Sequence, residues 1–156
     1  MRINTYGRYG VRSMFDLAMY RNSGPISLKT ISRRQGISID YLEQIMGKLR
    51  RAGLVRSIRG PKGGFVIDKD PKDIRVSDIL SGVGECFCPV DCVKRGKLKK
   101  EQHCGKVDKC IAYLLWQRLA DKIKEYLDSV TLEDLCLEAK DKWGTEFPDH
   151  QFMYYL

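Results

Sequence analysis

Five of the six cysteines lie close together in the middle of the chain. None occurs in residues 1–85, and five fall within 25 residues, at Cys86, Cys88, Cys92, Cys104 and Cys110. Cysteines that only pack a core do not cluster in this way, whereas thiols that bind a metal or exchange disulfides must be neighbours. The cysteine positions therefore predict metal binding or thiol chemistry.

The intervals between these cysteines favour an iron–sulfur cluster over zinc. Structural zinc sites draw their ligands from two short knuckles of paired cysteines, and no Cys-x-x-Cys pair occurs here. Clusters accept ligands from long irregular loops, and seven Lys and Arg residues in residues 92–110 would offset the charge of an anionic cluster. Zinc, or a thiol–disulfide switch among Cys86, Cys88 and Cys92, remains open as the alternative.

Two further residues bear on the set of ligands. His103, next to Cys104, is the imidazole nearest to the cysteines, and an exposed loop histidine explains it at least as well as ligation does. Cys136 lies on the apolar face of a predicted helix, so we assign it to packing.

The charge of the chain is divided between its two ends. Residues 1–70 contain 14 Lys and Arg against 5 Asp and Glu, whereas residues 111–156 contain 5 against 9. A basic half joined to an acidic half is typical of a polyanion-binding module fused to a sensing or oligomerising one. A basic surface kept for solubility would explain the net charge of +8 but not this asymmetry.

The apolar periodicity of the basic half predicts a helix-turn-helix. Residues 7–21 form an amphipathic pattern, and a short second helix follows, capped by Ser27 and ended by Gly36. Ser38 caps a third helix that carries apolar residues on one face. Two short helices around a glycine-containing turn are typical of DNA-binding helix-turn-helix units.

The pattern then changes to a β-hairpin and returns to helix. Residues 54–59 and 64–68 predict two strands joined by a Gly-rich turn, and residues 76–80 predict a short helix. A long helix begins at about Val107, with an apolar face that must pack on the first domain, on a twin helix, or on both. A last short helix, opened by Thr131, runs to about Lys142.

These elements predict a mainly α fold with a small β-hairpin wing: a winged helix-turn-helix domain plus a long dimerisation helix. We divide the chain into a DNA-binding domain (1–82), a cysteine-rich cluster-binding loop (83–106), the dimerisation helix with the following short helix (107–142), and a C-terminal tail (143–156).

Polar residues in the first turn of the third helix are candidates for reading base edges. Gln44 suits the N6/N7 edge of adenine, Glu43 can accept a hydrogen bond from cytosine N4, and Tyr41 suits a phosphate or a thymine methyl group. Arg59 beside Gly60, on a thin turn, suits a narrow minor groove. The predicted DNA-binding residues are Arg33, Ser38, Asp40, Tyr41, Glu43, Gln44, Lys48, Arg59, Gly60 and Lys62.

Other classes of protein fit the sequence less well. No apolar run approaches the roughly 18 residues of a membrane span. Charged residues occur within the first twenty positions, where a signal peptide has its hydrophobic core. We therefore expect a cytoplasmic protein without membrane contact. A small redox enzyme with a basic docking face is the competing class. We expect no enzymatic activity, because two histidines offer no catalytic His/Asp set.

Several short motifs together carry a family resemblance over residues 1 to about 130. They are Met1-Arg2-Ile3 through Gly7-Arg8-Tyr9, Ile37-Ser38 to Tyr41-Leu42-Glu43-Gln44, Gly53-Leu54-Val55, and Arg59-Gly60-Pro61 with Gly63-Gly64. With these motifs the chain resembles the IscR/NsrR/CymR-type regulators of the Rrf family, and most closely the IscR type, which senses iron–sulfur clusters.

The resemblance implies a homodimer that binds a double-stranded DNA operator and is held together by the long helix. It implies a cluster bound by Cys92, Cys104 and Cys110, most simply [2Fe-2S], with [4Fe-4S] as the alternative, and cluster assembly proteins as further partners. The sign of regulation is left open between repressor and activator.

The chain departs from the family pattern at four points. The interval between Cys92 and Cys104 is about six residues longer than in IscR-type proteins. Tyr113 stands where those proteins place a histidine ligand, and Arg8 stands where NsrR-type proteins place an aspartate. The fourth ligand is therefore left open among Cys88, Cys86 and His103. Asp40 replaces an expected serine, which bears on the operator sequence.

Overall fold

Residues 3–93 and 109–144 are described by the computed structural model of the chain. Within these residues the structure contains six α-helices, a two-stranded antiparallel sheet and short 3-10 turns, which confirms the predicted mainly α fold with a hairpin wing. The elements are α1 (Thr5–Met19), α2 (Leu28–Gln35), α3 (Ile39–Arg51), β1 (Val55–Ile58), β2 (Gly64–Ile67), α4 (Val76–Gly82), α5 (Ile111–Ser129) and α6 (Leu132–Trp143).

Polar side chains cap the first turn of the three helices that build the helix-turn-helix. The side chains of Asn4, Ser27 and Ser38 accept the third backbone N–H of α1, α2 and α3, respectively. Gly36 ends α2 in the left-handed conformation, with φ at 61°. The caps of α2 and α3 confirm the predicted ones, whereas α1 begins two residues earlier than predicted because Asn4 caps it.

The core lies between α1, α2, α3 and α4 and reaches the base of the hairpin. Each helix contributes one apolar row, and α3 contributes four fully buried side chains. The burial of this row leaves the opposite face of α3 in solvent. The buried residues of α3 are Leu42, Ile45, Met46 and Leu49.

The hairpin wing is fixed to the segment that precedes α2. Strands β1 and β2 pair from Val55 with Ile67 to Ile58 with Gly64. Beyond this pairing, Phe65 and Ile26 exchange two backbone hydrogen bonds of 2.8 and 3.0 Å. A Cβ on Gly64 would lie 2.4 Å from the Ile26 carbonyl, so only glycine permits this close approach. The wing therefore has a set position relative to the helix-turn-helix.

The last helix returns to the amino-terminal domain. Leu132 of α6 is fully buried and Cys136 nearly so, both within the core that α1 helps to form. The backbone joins there as well, because Val76 N–H donates to Val130 O (2.9 Å) and Leu132 N–H donates to Ile74 O (2.8 Å). The structure thus confirms the assignment of Cys136 to packing, and it places α6 against a domain from which the sequence had separated it.

Helix α5 packs against α4 and against the turn at residues 91–93, yet none of its residues is buried. It begins at Ile111 rather than near Val107, because Cys110 is its N-cap with an extended backbone. A row of large apolar side chains on α5 remains exposed: Ile111, Leu114, Leu115, Leu119 and Tyr126.

Candidate nucleic-acid interface and cysteine segment

The outer face of α3 presents the predicted base-reading side chains to solvent. Asp40, Tyr41, Glu43 and Gln44 are all exposed, on the side opposite the buried row of the same helix. Ser38 is also exposed, but its Oγ accepts the N–H of Tyr41 at 3.4 Å and so serves as the helix cap. The structure therefore brings these five predicted residues together on one surface, which we call the α3 surface.

Two tyrosines of α1 support the α3 surface, and sequence reasoning missed both of them. The Tyr6 hydroxyl donates a hydrogen bond to Oε1 of Gln44. The ring of Tyr41 lies 5.4 Å from the ring of Tyr6 and 5.9 Å, edge-on, from that of Tyr9. The only available signal was the spacing of three residues between Tyr6 and Tyr9, which places both on one face of α1.

Lys48 has partners inside the molecule. Its Nζ donates to the carbonyl of Val83 at 3.1 Å and lies 3.9 Å from the centroid of the Tyr6 ring. The side chain is half-buried. Lys48 is one of the predicted DNA-binding residues, and in the structure its ammonium group joins α3 to the end of α4.

A buried ion pair locks α2 onto α1. The Asp16 carboxylate, 1% exposed, accepts two hydrogen bonds from the guanidinium of Arg34, at 2.9 and 2.6 Å, and a third from Gln35 Nε2 at 3.0 Å. The same guanidinium stacks 3.9 Å above the ring of Tyr20. Arg34 is thus a structural residue, while its neighbour Arg33 is exposed and free to approach a polyanion.

The tip of the wing carries the predicted groove-reading residues. Arg59 and Lys62 are exposed and flank Gly60, whose φ of +119° is rarely adopted by other residues. The N–H of Gly63 donates to the Gly60 carbonyl at 2.9 Å and closes the turn. A Cβ on Gly63 would lie 2.3 Å from the Ile58 carbonyl, so the turn stays thin. Arg59 therefore projects from a narrow loop that a backbone hydrogen bond closes.

The structure describes two of the three predicted cluster ligands. Cys92 is half-buried in the 3-10 turn of residues 91–93, which packs against α5, and Cys110 is the N-cap of the same helix. Cys104 and His103 lie outside the described residues. Among residues 3–93 and 109–144, no three His, Cys, Asp or Glu side chains form a group that could hold one metal ion.

The candidates for a fourth ligand differ in their surroundings. The Cys88 thiol donates to the carbonyl of Val93 at 3.6 Å, beside Cys92. Cys86 is exposed and lines an apolar groove of about 350 Å³ together with Lys122, Ile123, Tyr126 and Leu127 of α5. Residue 122 lies about 18 Å along the helix from Cys110, at 1.5 Å per residue. Cys88 is therefore better placed than Cys86 to share one site with Cys92 and Cys110 within one chain.

The environment of Cys136 does not suit a metal ligand. Burial raises the pKa of its thiol to about 11, so the group is protonated at neutral pH. Metals bind the thiolate form, and among the described residues Cys136 belongs to no group of three His, Cys, Asp or Glu side chains that could hold a metal ion. This thiol fits its packing role.

The residues just before the cysteines contact α1 and α3 directly. Besides the bond from Lys48 to Val83, the backbone N–H of Asn4 approaches both carboxylate oxygens of Glu85, at 3.3 and 3.4 Å. Glu85 thus lies at the positive end of α1, where a carboxylate is favourable, and Cys86 follows it in the chain. The segment of residues 83–86 therefore contacts both α1 and α3.

Where the structure describes the chain, no helix combines the length and the apolar character that crossing a membrane requires.

Comparisons with known proteins agree with this architecture. The sequence model of the Rrf2 family, described as an iron-dependent transcriptional regulator, matches residues 3–138. The HTH-type transcriptional regulator IscR of Cronobacter sakazakii is 42% identical over 135 residues, which cover 86% of this chain and 80% of that protein.

Solved structures show the same fold. IscR of T. potens superposes with a TM-score of 0.75 at 39% identity and covers 99% of this chain and 97% of its own. CymR, the global cysteine regulator of B. subtilis, superposes with a TM-score of 0.69, also at 39% identity, over 88% of this chain and 98% of its own. The matches in sequence and in fold extend over most of the molecule, and they show that the chain belongs to the Rrf2 family of winged-helix transcriptional regulators.

Proposed function

We propose that the protein is a homodimeric regulator of the IscR type, which binds an operator through α3 and the wing and responds to a cysteine-bound iron–sulfur cluster. The DNA-binding part of this proposal rests on one observation: the α3 surface and Arg59, at the tip of the wing, are both exposed to solvent. We propose that it acts in the cytoplasm, and we propose no enzymatic role.

The DNA contacts follow from the exposed positions. The α3 surface enters the major groove, where Gln44 and Glu43 meet base edges. The wing reaches the minor groove with Arg59, and Lys62 and Arg33 lie over phosphates. Lys48 drops out of this set because its ammonium group already has partners within the chain.

A second copy of the chain would cover the apolar row of α5. Five large apolar side chains on one helix are more than a monomer normally leaves in water. Pairing of α5 with its symmetry mate would bury the row and hold two recognition helices at a fixed separation, as a palindromic operator requires.

The cysteines fit a cluster that bridges the turn at residues 91–93 and the start of α5. Cys92 and Cys110 are partly accessible thiols at the two boundaries of the segment that carries Cys104. When bound, a [2Fe-2S] or [4Fe-4S] cluster supplies a link that depends on iron supply and on oxidation. Cys88 is the fourth ligand that we favour, and proteins that assemble clusters are the expected donors.

The contacts of residues 83–86 offer a route from the cysteines to DNA. A shift of this segment acts on α3 through Val83 and Lys48, and on α1 through Glu85 and Asn4. Regulation requires only about 1–3 kcal/mol of coupling between the two sites. A shift of α3 that changes the free energy of operator binding by this amount is sufficient for regulation.

A thiol–disulfide switch, or zinc, is the second candidate for the sensing part. It is favoured by the closeness in sequence of Cys86, Cys88 and Cys92, and by the structural likeness to a cysteine regulator. Metal analysis of anaerobically purified protein separates the candidates, since iron together with acid-labile sulfide supports the cluster alone.

Replacing Arg59 with alanine tests the DNA-binding part. We expect operator affinity to fall about five- to 150-fold, because a guanidinium in a narrow minor groove contributes about 1–3 kcal/mol. Affinity for random duplex DNA should fall much less. Fluorescence anisotropy with an operator selected from a randomised duplex pool measures both losses.

The matched control is Lys140→Ala, which removes the same charge from the exposed face of α6. Equal losses of Arg59→Ala on operator and on random DNA would reduce Arg59 to a phosphate contact. A wild-type protein that enriches no sequence from the pool would overturn the DNA-binding proposal itself.

A further inference from the structure

Tyr6 of α1 lies along one face of the recognition helix. It contacts three side chains of α3 at intervals of three and four residues: its ring lies 5.4 Å from that of Tyr41 and 3.9 Å from Lys48 Nζ, and its hydroxyl donates to Gln44. The ring is therefore held from two sides, independently of the hydroxyl. The hydroxyl has a defined position next to an exposed glutamine.

The hydrogen bond constrains the amide of Gln44. A glutamine amide can rotate by half a turn, which exchanges its carbonyl oxygen and its amino group. A phenol that donates to Oε1 favours the rotamer with the oxygen toward Tyr6. Nε2 then keeps two donors and Oε1 keeps one lone pair for DNA. In the flipped rotamer the phenol oxygen would have to accept from Nε2, which is the weaker arrangement because a phenol donates better than it accepts. The side chain thus presents its donor and acceptor mainly in one order.

We propose that Tyr6 is a positioning residue that selects this amide orientation and so sharpens base discrimination by Gln44. The inference rests on the proposed function, in which Gln44 meets a base edge. Adenine offers an N7 acceptor beside an N6 donor, so an amide of fixed orientation matches it in one register. A freely rotating amide accepts other edges more readily, since it can exchange its two groups.

The test compares the full-length wild type with Tyr6→Phe and Gln44→Ala. An operator is selected from a randomised duplex pool, and affinities are measured for all single base-pair changes in it. The base pair at which Gln44→Ala abolishes the preference marks the pair that Gln44 reads. At this pair we expect Tyr6→Phe to reduce discrimination about three- to tenfold, the effect of one lost hydrogen bond.

Preferences at the other pairs, affinity for random DNA and the thermal unfolding midpoint should stay as in the wild type, because phenylalanine keeps the ring between Tyr41 and Lys48. The double variant should behave like Gln44→Ala alone. Tyr20→Phe, which removes a phenol from the ring beneath Arg34, is the matched control and should leave discrimination at this pair intact.

The outcomes separate the inference from the function on which it rests. Full wild-type discrimination in Tyr6→Phe at the Gln44 pair overturns the inference and leaves the operator function standing. An equal loss at every pair also overturns it, because that result describes a general disturbance of α3. A Gln44→Ala variant that keeps every preference also overturns the inference, since other residues then read the operator. A wild type without sequence preference removes both the inference and the proposed function.

Discussion

Replacing Asp16 with alanine should lower the free energy of unfolding by about 2–4 kcal/mol, measured by urea denaturation. The buried carboxylate accepts three hydrogen bonds, from Arg34 and Gln35, and holds α2 against α1. Without it, a largely buried guanidinium and a buried amide lose their acceptor. The loss is a large fraction of the stability of a small domain.

Asp68→Ala is the matched control for this prediction. Asp68 pairs with Arg56 at 3.2 Å on the exposed wing, where both side chains remain largely in water. An exposed pair of this kind contributes little, so the denaturation midpoint should hardly move. Similar midpoints for the Asp16 and Asp68 variants would show that the buried network does not stabilise the domain.

Alanine at Cys92, Cys104 or Cys110 should remove the visible absorbance and most of the iron of the anaerobically purified protein. Each change deletes one proposed ligand of the cluster. The same variants should change operator affinity about five- to 150-fold, which corresponds to a coupling of about 1–3 kcal/mol. Absorbance, iron content and fluorescence anisotropy on one preparation give all three quantities.

Cys136→Ala is the control thiol, since it is packed in the core and its raised pKa keeps it protonated. It should retain both the colour and the operator affinity. A colourless Cys136→Ala together with a coloured Cys104→Ala would show that the ligand assignment is wrong. Among the remaining thiols, Cys88→Ala should weaken the cluster more than Cys86→Ala does.

Local signals predicted most of the fold. The caps Ser27, Ser38 and Thr131 and the stop at Gly36 act within one helical turn, so the sequence around each is sufficient to place it. The hairpin was likewise predictable from its Gly-rich turn. Asn4 was missed as the cap of α1 because the apolar repeat becomes clear only further along that helix.

Contacts between distant residues explain what the sequence could not reveal. Lys48 looked like a surface cation because its partner, Val83, lies 35 residues away and offers only a backbone carbonyl. The buried Asp16 is similar, since nothing near it in the chain marks it as the acceptor for Arg34. The tertiary fold alone creates these pairs, and it also decides that Tyr6 meets Gln44.

The cysteine segment likewise combines a feature that the local sequence predicts with contacts that only the tertiary fold creates. Clustering of thiols in the sequence predicted chemistry in the middle of the chain without any structural input. The route that we propose from that chemistry to DNA uses Glu85 and Val83, two residues of ordinary type that contact the N-cap of α1 and Lys48 of α3. Reactive groups are therefore easier to identify from sequence patterns than the residues that transmit a change in their state.

The measurement that tests the central claim most directly is an absorbance spectrum of the anaerobically purified full-length protein, with iron and acid-labile sulfide assayed on the same sample. The account predicts charge-transfer bands in the visible region, with iron and sulfide in comparable amounts. A colourless protein that stays colourless after reconstitution with iron and sulfide would contradict it. The winged helix would then remain, with zinc or a thiol switch at its cysteines.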